Sequence, residues 1–122
     1  MRIKRGATRI VFIFKQFVIK IPNIQEYRLF LNGLLANLQE KEFSKMNRSD
    51  LCHVKFCTKF GLILIMNKAE ELDIKNIDWL IFKEQLESKY ENDQMKEFIL
   101  SDSKPSNWGY INNKLVKIDY GN

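Results

Sequence analysis

The sequence contains few of the residues that build cross-linked or metal-stabilised folds. Its 122 residues include two Cys, one His, two Pro and five Gly. Cys52 and Cys57, with His53 between them, do not complete the four ligands of a structural zinc site, and they are too few for a disulfide framework. We therefore expect two buried or half-buried thiols in a reducing cytoplasm.

Long apolar runs are also absent. A bilayer-spanning helix needs roughly 20 apolar residues, but Lys15 stops the first apolar run and Asn67 stops the second. The run after the basic N-terminus contains Lys15 and Lys20, and no small-residue cleavage site follows it, so it is not typical of a signal peptide. We expect no membrane partner.

The remaining composition favours one globular domain over residues 1–122. Hydrophobic residues make up 45 % of the chain, which is enough for a core. The net charge of +5 permits attraction to nucleic acid or to acidic partners. Basic residues cluster only at the N-terminus, where we favour a solvated face and keep contact with nucleic-acid phosphates as the alternative; they are Arg2, Lys4, Arg5 and Arg9.

The first half of the chain has the pattern of a hairpin followed by a helix. Residues 9–14 and 17–21 are β-branched and aromatic runs, which predict two antiparallel strands. A helix is predicted to begin near Ile24, with Asn23 as its N-cap and Glu26 at the third helical position, and to fade into the charged residues 39–45. Its apolar spacing predicts a face that packs on the sheet, namely Phe30, Leu31, Leu34 and Leu38.

The second half alternates short strands and helical segments. Residues 54–56 and 62–66 are candidate strands, and residues 67–73 form a polar connector. Residues 77–90 and 95–100 are helical, and a polar loop follows over residues 101–107. Residues 108–111 and 115–118 flank Asn112 and Asn113, a strong signal for a hairpin turn. The fold class is therefore α+β, with an antiparallel sheet and one packed helix in its first part.

The end of the sequence carries a pattern suited to phosphoryl transfer. Asp102, Lys104, Pro105 and Asn107 precede the predicted hairpin, and the triplet Asp119, Tyr120 and Gly121 follows it. This pattern resembles the catalytic segment of kinases, in which Asp-x-Lys-Pro-x-Asn leads through a hairpin to Asp-Phe-Gly. The resemblance implies that Asp102 is the base, Lys104 contacts phosphate, and Asn107 with Asp119 binds Mg²⁺.

The front of the chain fits the same resemblance. Val18, Ile19 and Lys20 are similar to the kinase strand whose lysine holds the phosphates of ATP and pairs with a glutamate of the next helix. Glu26 is the first candidate for that glutamate, and Glu40 and Glu42 are less favoured by position. Gly6 is all that remains of a glycine-rich loop, and Leu100 and Ser101 replace the His-Arg pair before the base.

Taken over nearly the whole chain, the sequence resembles the small kinase-like proteins of bacteriophages, which share the protein kinase and aminoglycoside phosphotransferase fold. The resemblance implies a front lobe over residues 1–66 and a shortened second lobe over residues 74–122 that stops just after the metal loop. We expect a degenerate kinase-like protein in the host cytoplasm that binds a host or phage macromolecule, with nucleotide binding vestigial or regulatory.

Two other functions stay open. One is an active minimal kinase that uses ATP and Mg²⁺ through the residues named above. The other is a basic protein that binds DNA or RNA through its N-terminus. A homodimer that covers apolar surface left by the shortened second lobe is a further expectation.

Overall fold

The computed structural model describes residues 1–102 and 104–121, which form a mixed α+β fold. Five strands make the first sheet: β1 (Arg2–Arg5), β2 (Arg9–Ile13), β3 (Phe17–Pro22), β4 (Val54–Cys57) and β5 (Leu64–Asn67). Three make the second: β6 (Glu70–Glu71), β7 (Trp108–Ile111) and β8 (Lys114–Lys117). The helices are α1 (Tyr27–Ser44), α2 (Trp79–Lys89) and α3 (Lys96–Leu100), with 3₁₀ turns at Ile74–Asn76 and Pro105–Asn107.

The first sheet has the strand order β1-β2-β3-β5-β4, and every neighbouring pair is antiparallel. The predicted hairpin is confirmed, since Ile10 pairs with Ile21 across β2 and β3. Its turn needs no glycine, because the Phe14 amide donates to the Phe17 carbonyl at 3.0 Å and the two rings stack with centroids 4.7 Å apart. The basic N-terminus forms β1, an exposed edge strand.

Helix α1 begins three residues later than predicted and ends at Ser44. Asn23 does not cap it; its side-chain oxygen accepts from the Gln25 amide at 2.9 Å, and Glu26 precedes the helix in an extended conformation without a capping hydrogen bond. The helix continues regularly to Ser44, within the charged stretch into which it was expected to fade. Tertiary contacts, rather than local propensity, therefore fix both ends.

The predicted leucine face of α1 is wrong at Leu31, and its other three members are half-buried. Leu31 and Leu35 are 43 % and 46 % exposed, and Phe30, Leu34 and Leu38 are half-buried. The buried side of the helix consists of small and polar residues, namely Gly33, Ala36, Asn37, Glu40 and Ser44. The cause is close approach: a β-carbon on Gly33 would lie 2.7 Å from the Pro22 Cα and closer still to the Thr8 carbonyl oxygen.

The second sheet has the order β6-β7-β8. Its β7–β8 hairpin is confirmed, and Asn112 and Asn113 both have positive φ, at 51° and 64°, as a type I′ turn requires. The predicted polar connector contains β6, whose Glu70 pairs with Tyr110. Leu51 bridges to Lys117 and so ties the segment after α1 to this sheet.

Two apolar clusters hold the elements together. The first joins the two sheets and includes Leu51, Cys52, Leu64, Met66, Ala69, Val116 and Tyr120. The second lies under α2 and α3 and includes Leu86, Tyr90, Ile99 and Trp108. Within the described residues, no helix has the length and apolar character needed to cross a membrane.

The close approach at Gly33 generates a stability prediction. Gly33→Ala should destabilise the fold by at least about 1 kcal/mol, because the two nearest obstructing atoms, the Thr8 carbonyl oxygen and the Pro22 Cα, are backbone atoms. The clash of the added methyl should outweigh the better helix propensity of alanine. Urea unfolding followed by circular dichroism measures the loss.

The matched control is Gly6→Ala. Gly6 has no positive φ, and its added methyl would meet only the Arg9 carbonyl oxygen, at 3.3 Å. We expect a change of no more than about 0.5 kcal/mol there. Equal effects at the two glycines would contradict the proposed close approach.

Candidate functional site

The candidate site is centred on the carboxylate of Glu40, which is 0 % exposed. Arg9 of β2 donates to it from both terminal nitrogens, at 2.6 Å to Oε1 and 3.2 Å to Oε2. Lys20 of β3 donates from Nζ to the same two oxygens at 2.9 and 3.2 Å. One buried anion therefore joins two neighbouring strands to α1.

The Asp-Tyr-Gly segment docks on the same carboxylate. The backbone amides of Tyr120 and Gly121 each donate to Glu40 Oε2 at 2.9 Å. A β-carbon on Gly121 would lie 2.8 Å from the Glu40 Cγ and closer still to the Ala36 carbonyl oxygen, so this approach requires glycine. The Tyr120 hydroxyl donates to the Cys52 carbonyl at 2.6 Å and anchors the segment from its other side.

The charged groups of Asp119 and Lys20 both bind other groups of the protein. Arg9 Nη2 donates to Asp119 Oδ1 at 2.8 Å, although the Asp119 side chain is 48 % exposed. Lys20 Nζ also donates to the Ile118 carbonyl at 2.8 Å, so its ammonium has as many acceptor atoms as it has hydrogens. Lys20 is 5 % exposed, and its charge is enclosed.

The charges of this cluster balance, and their balance sets the ionisation of Glu40. Burial by itself would raise the pKa of Glu40, but Lys20 and Arg9 outweigh it and lower the pKa from 4.5 to about 2. Burial likewise opposes the charge of Arg9, yet Glu40 and Asp119 raise the pKa of Arg9. Glu40 and Arg9 therefore stay charged in the folded protein at neutral pH.

Asn37 supports this cluster from the preceding turn of α1. Its Oδ1 accepts from Arg9 at 3.1 Å, and its amide nitrogen donates to the carbonyls of Lys20 at 3.1 Å and Gly61 at 2.8 Å. It holds the helix, β3 and the loop before β5 in one register. Asn37 is fully buried, so its three partners also satisfy a side chain that would be costly to leave unpaired.

The predicted catalytic loop lies beside this cluster. Asn107 donates from its amide nitrogen to the Asp102 carbonyl at 2.7 Å, and its own carbonyl accepts from the Ile118 amide at 2.8 Å. Asp102 adopts a positive φ of 46°. Lys104 Nζ lies 3.6 Å from Asp102 Oδ1, and both side chains are exposed.

The side chain of Lys117 holds the start of the predicted catalytic loop in place. It is 1 % exposed and donates to three carbonyls at the end of α3, those of Phe98 at 3.2 Å, Ile99 at 2.9 Å and Ser101 at 2.7 Å. Burial lowers the pKa of Lys117. The lysine therefore caps the last turn of α3 and ties it to β8, which leads to Asp119.

The expected partner of Lys20 is corrected. Glu26 is exposed and precedes α1, about 20 Å along the helix from Glu40, which makes the ion pair instead. Because α1 crosses the sheet at Gly33, the residues after the crossing lie over Lys20 and those before it do not. Glu42, the other alternative, is exposed and pairs with Lys45.

Two further predicted residues have different surroundings from those expected. Gly6 lies in the turn between β1 and β2, but its amide donates to the Arg9 carbonyl at 2.8 Å and is not directed to a ligand. Arg9 is 7 % exposed, so it cannot contact nucleic-acid phosphates with the other basic residues of the N-terminus. Lys4 and Arg5 are exposed on β1, and Arg2 pairs with Glu71.

The residues present fit a magnesium ion poorly as they stand. Among the described residues, no group of three or more His, Cys, Asp or Glu side chains could hold a metal. Asp119, which would be the principal oxygen ligand, is paired with the Arg9 guanidinium. A divalent cation would have to compete with that buried arginine for the carboxylate.

Two clefts of the described chain lie away from this cluster. One, of about 330 Å³, lies between α1 and β4, and the other, of about 180 Å³, lies between α2 and β8. Neither Lys20 nor Asp119 lines them. Comparison with protein-family models and with curated proteins finds no match to this sequence.

The sequence patterns singled out Lys20 and Asp119, but they did not place Arg9 beside them and kept Glu40 only as a less favoured partner of Lys20. Arg9 was assigned to a solvated face, and Glu40 lay in a stretch where the helix was expected to fade. The signal was the recurrence of small and polar residues at Gly33, Ala36 and Glu40, with a spacing of three and four. A polar stripe of this kind marks a buried helix face when a charged strand residue can reach it.

The ionisation of Glu40 predicts how stability depends on pH. Its pKa is lower in the folded protein than its ordinary value, so its contribution is fully present above about pH 4.5 and is lost as pH falls towards 2. Glu40→Gln should cost about 3–5 kcal/mol at neutral pH, because Arg9 and Lys20 lose their buried counter-charge. Urea unfolding between pH 7 and about 3 measures both effects.

Glu42→Gln is the matched control on the same helix. Glu42 is exposed and its ion pair with Lys45 is 3.0 Å long at the surface, so the change should stay within about 0.5 kcal/mol and leave the acid profile unaltered. A wild-type stability that does not fall between pH 4.5 and 3 would contradict the assignment of a charged, paired Glu40. This measurement on the wild type does not depend on whether the Glu40→Gln variant folds.

Proposed function

We propose that this chain is a degenerate kinase-like protein of the bacteriophage type that acts by binding a host or phage macromolecule. Its nucleotide binding is vestigial or regulatory. The proposal rests on the two charged groups that would bind a magnesium–ATP complex, because both already bind other groups of the protein. Lys20 donates to Glu40 and to the Ile118 carbonyl, and Asp119 accepts from Arg9.

The cost of displacing these contacts supports weak nucleotide binding. Phosphates would have to take Lys20 from acceptors that already satisfy its ammonium, and Mg²⁺ would have to take Asp119 from Arg9. Arg9 would then keep Glu40 as its remaining buried counter-charge. Breaking a buried, hydrogen-bonded charge pair typically costs several kcal/mol, which a ligand must recover from its new contacts.

The outer face of α1 supports a role in binding a macromolecule. Tyr27, Leu31 and Leu35 recur every four residues and are 75 %, 43 % and 46 % exposed. Three large apolar side chains in one row form a continuous exposed stripe, which is typical of an interaction surface rather than of a fully solvated helix.

An active minimal kinase is the second candidate. It is favoured by the pairing of a strand lysine with a glutamate of the next helix, by the half-exposed Asp119 carboxylate and by the tie between Asn107 and Asp102. Nucleic-acid binding through β1 is the third, and it is favoured by the exposed Lys4 and Arg5, with Arg9 excluded by its burial.

Magnesium and ATP distinguish the first two candidates. We expect millimolar Mg²⁺-ATP to move the thermal unfolding midpoint of the wild type by less than about 1 °C, because a ligand stabilises the fold only as far as it binds it. Purified protein should incorporate no labelled phosphate. Thermal denaturation and a phosphate-transfer assay check these outcomes.

The opposite results would support the second candidate, the active kinase. A clear stabilisation by Mg²⁺-ATP that Lys20→Ala and Asp119→Asn both abolish, with labelled phosphate that disappears in Asp102→Ala, establishes the active kinase instead. Lys104→Ala is a useful companion, since the exposed Lys104 pairs only with Asp102 among the described residues. Its loss would lower transfer without destabilising the fold.

A further inference from the structure

A basic groove lies between the C-terminal end of α1 and the edge strand β4. It has a volume of about 330 Å³ and is lined by four basic side chains, those of Lys41, Lys45, His53 and Lys55. No acidic residue of the described chain lines it. The groove is thus a positively charged concavity on the side of the sheet opposite to β1.

Most of this charge has no counter-ion in the fold. Lys45 pairs with Glu42 at 3.0 Å, but Lys41 and Lys55 form no salt bridge within residues 1–102 and 104–121. Three of the five arginines contrast with them, since Arg2, Arg9 and Arg48 pair with carboxylates. The charge at the groove remains available to a polyanion.

Exposed aromatic rings accompany the lysines. The sequence places a Lys-Phe pair at Lys55 and Phe56 and repeats it at Lys59 and Phe60. Phe56 lines the groove and is 53 % exposed, and Phe60 is 67 % exposed with the Lys59 ammonium 5.6 Å from its ring centre. The two phenylalanines are four positions apart in the sequence, so at most about 14 Å of chain lies between them.

We propose that this groove binds single-stranded nucleic acid. Lys41 and Lys55 contact the phosphates, and the rings of Phe56 and Phe60 stack with bases. Unstacked bases present flat apolar faces that aromatic side chains cover, and a lysine-lined groove follows the backbone without regard to sequence. An acidic protein segment would use the lysines but would gain little from two half-exposed rings.

This surface is distinct from the N-terminal strand and from the Glu40 cluster. Strands β1 and β4 form opposite edges of the sheet, so their basic residues do not belong to one site. The proposal stands whether or not the Asp119 segment holds a nucleotide.

The test measures binding of a fluorescein-labelled oligothymidylate of about 12 nucleotides by anisotropy over a range of salt concentrations. We expect wild-type binding at about 50 mM salt that weakens steeply as salt rises. Phe56→Leu, which keeps the charge and removes the ring, should weaken binding about tenfold. The double change Lys41→Ala and Lys55→Ala should reduce the salt slope by about 1.4, at about 0.7 for each phosphate contact.

The control removes the same charge elsewhere. Lys75→Ala with Lys83→Ala changes two exposed lysines outside the groove and should leave the affinity unchanged at matched ionic strength. Circular dichroism confirms that each variant is folded. In a protein in which Arg2, Lys4 and Arg5 are all changed to Ala, Phe56→Leu should still weaken binding. The double change of Lys41 and Lys55 should still reduce the salt slope.

Three outcomes overturn the proposal. The first is no binding of the oligonucleotide at low salt. The second is loss of binding in the triple N-terminal variant with full binding in the groove variants, which assigns the site to β1. The third is equal competition by polyglutamate with no effect of Phe56→Leu, which assigns the groove to acidic protein segments.

Discussion

The rest of this structure depends on one buried carboxylate and the groups that neutralise it. Glu40 accepts hydrogen bonds from Arg9, from Lys20 and from the amides of Tyr120 and Gly121. These partners belong to three different parts of the chain, so the anion fixes the relation of strands β2 and β3, helix α1 and residues 120–121. A buried ion network of this kind adds little net stability over an apolar core, but removing one member is costly. Its contribution is to specify one arrangement, because no shifted register of α1 satisfies all the donors at once.

The same contacts limit what the site can do. Electrostatic catalysis of phosphoryl transfer requires preorganised charges that a substrate can reach. Here the cations of Arg9 and Lys20 and the anions of Glu40 and Asp119 already cancel one another. Among the described residues, Lys41 and Lys55, which line the groove between α1 and β4, form no salt bridge. The fold has therefore separated the charges that stabilise it from those that face solvent.

Local sequence signals predicted the hairpins well, because β-branched runs and the Asn112 and Asn113 turn encode their own conformation. They also identified Lys20 and Asp119 through a motif. They failed where contacts between residues distant in sequence determine the structure. The helix buries Gly33 and Glu40 instead of Leu31, and no periodicity calculation foresees that a glycine at the crossing point brings a polar face against the sheet. The pairing of Arg9 with Asp119, two residues far apart in sequence, was equally beyond local patterns.

The docking of the Asp119 segment has a consequence for folding kinetics. Arg9 and Asp119 are 110 residues apart in sequence, and Glu40 and Gly121 are 81 apart. Closing a loop of this length costs chain entropy before the contacts at its ends can stabilise the protein. We therefore expect these contacts to form late in folding, after the β2–β3 hairpin has formed and packed against α1. Interactions absent from the transition state govern the rate of unfolding more than the rate of folding. We therefore expect the contacts of residues 119–121 to influence the unfolding rate of the protein more than its folding rate.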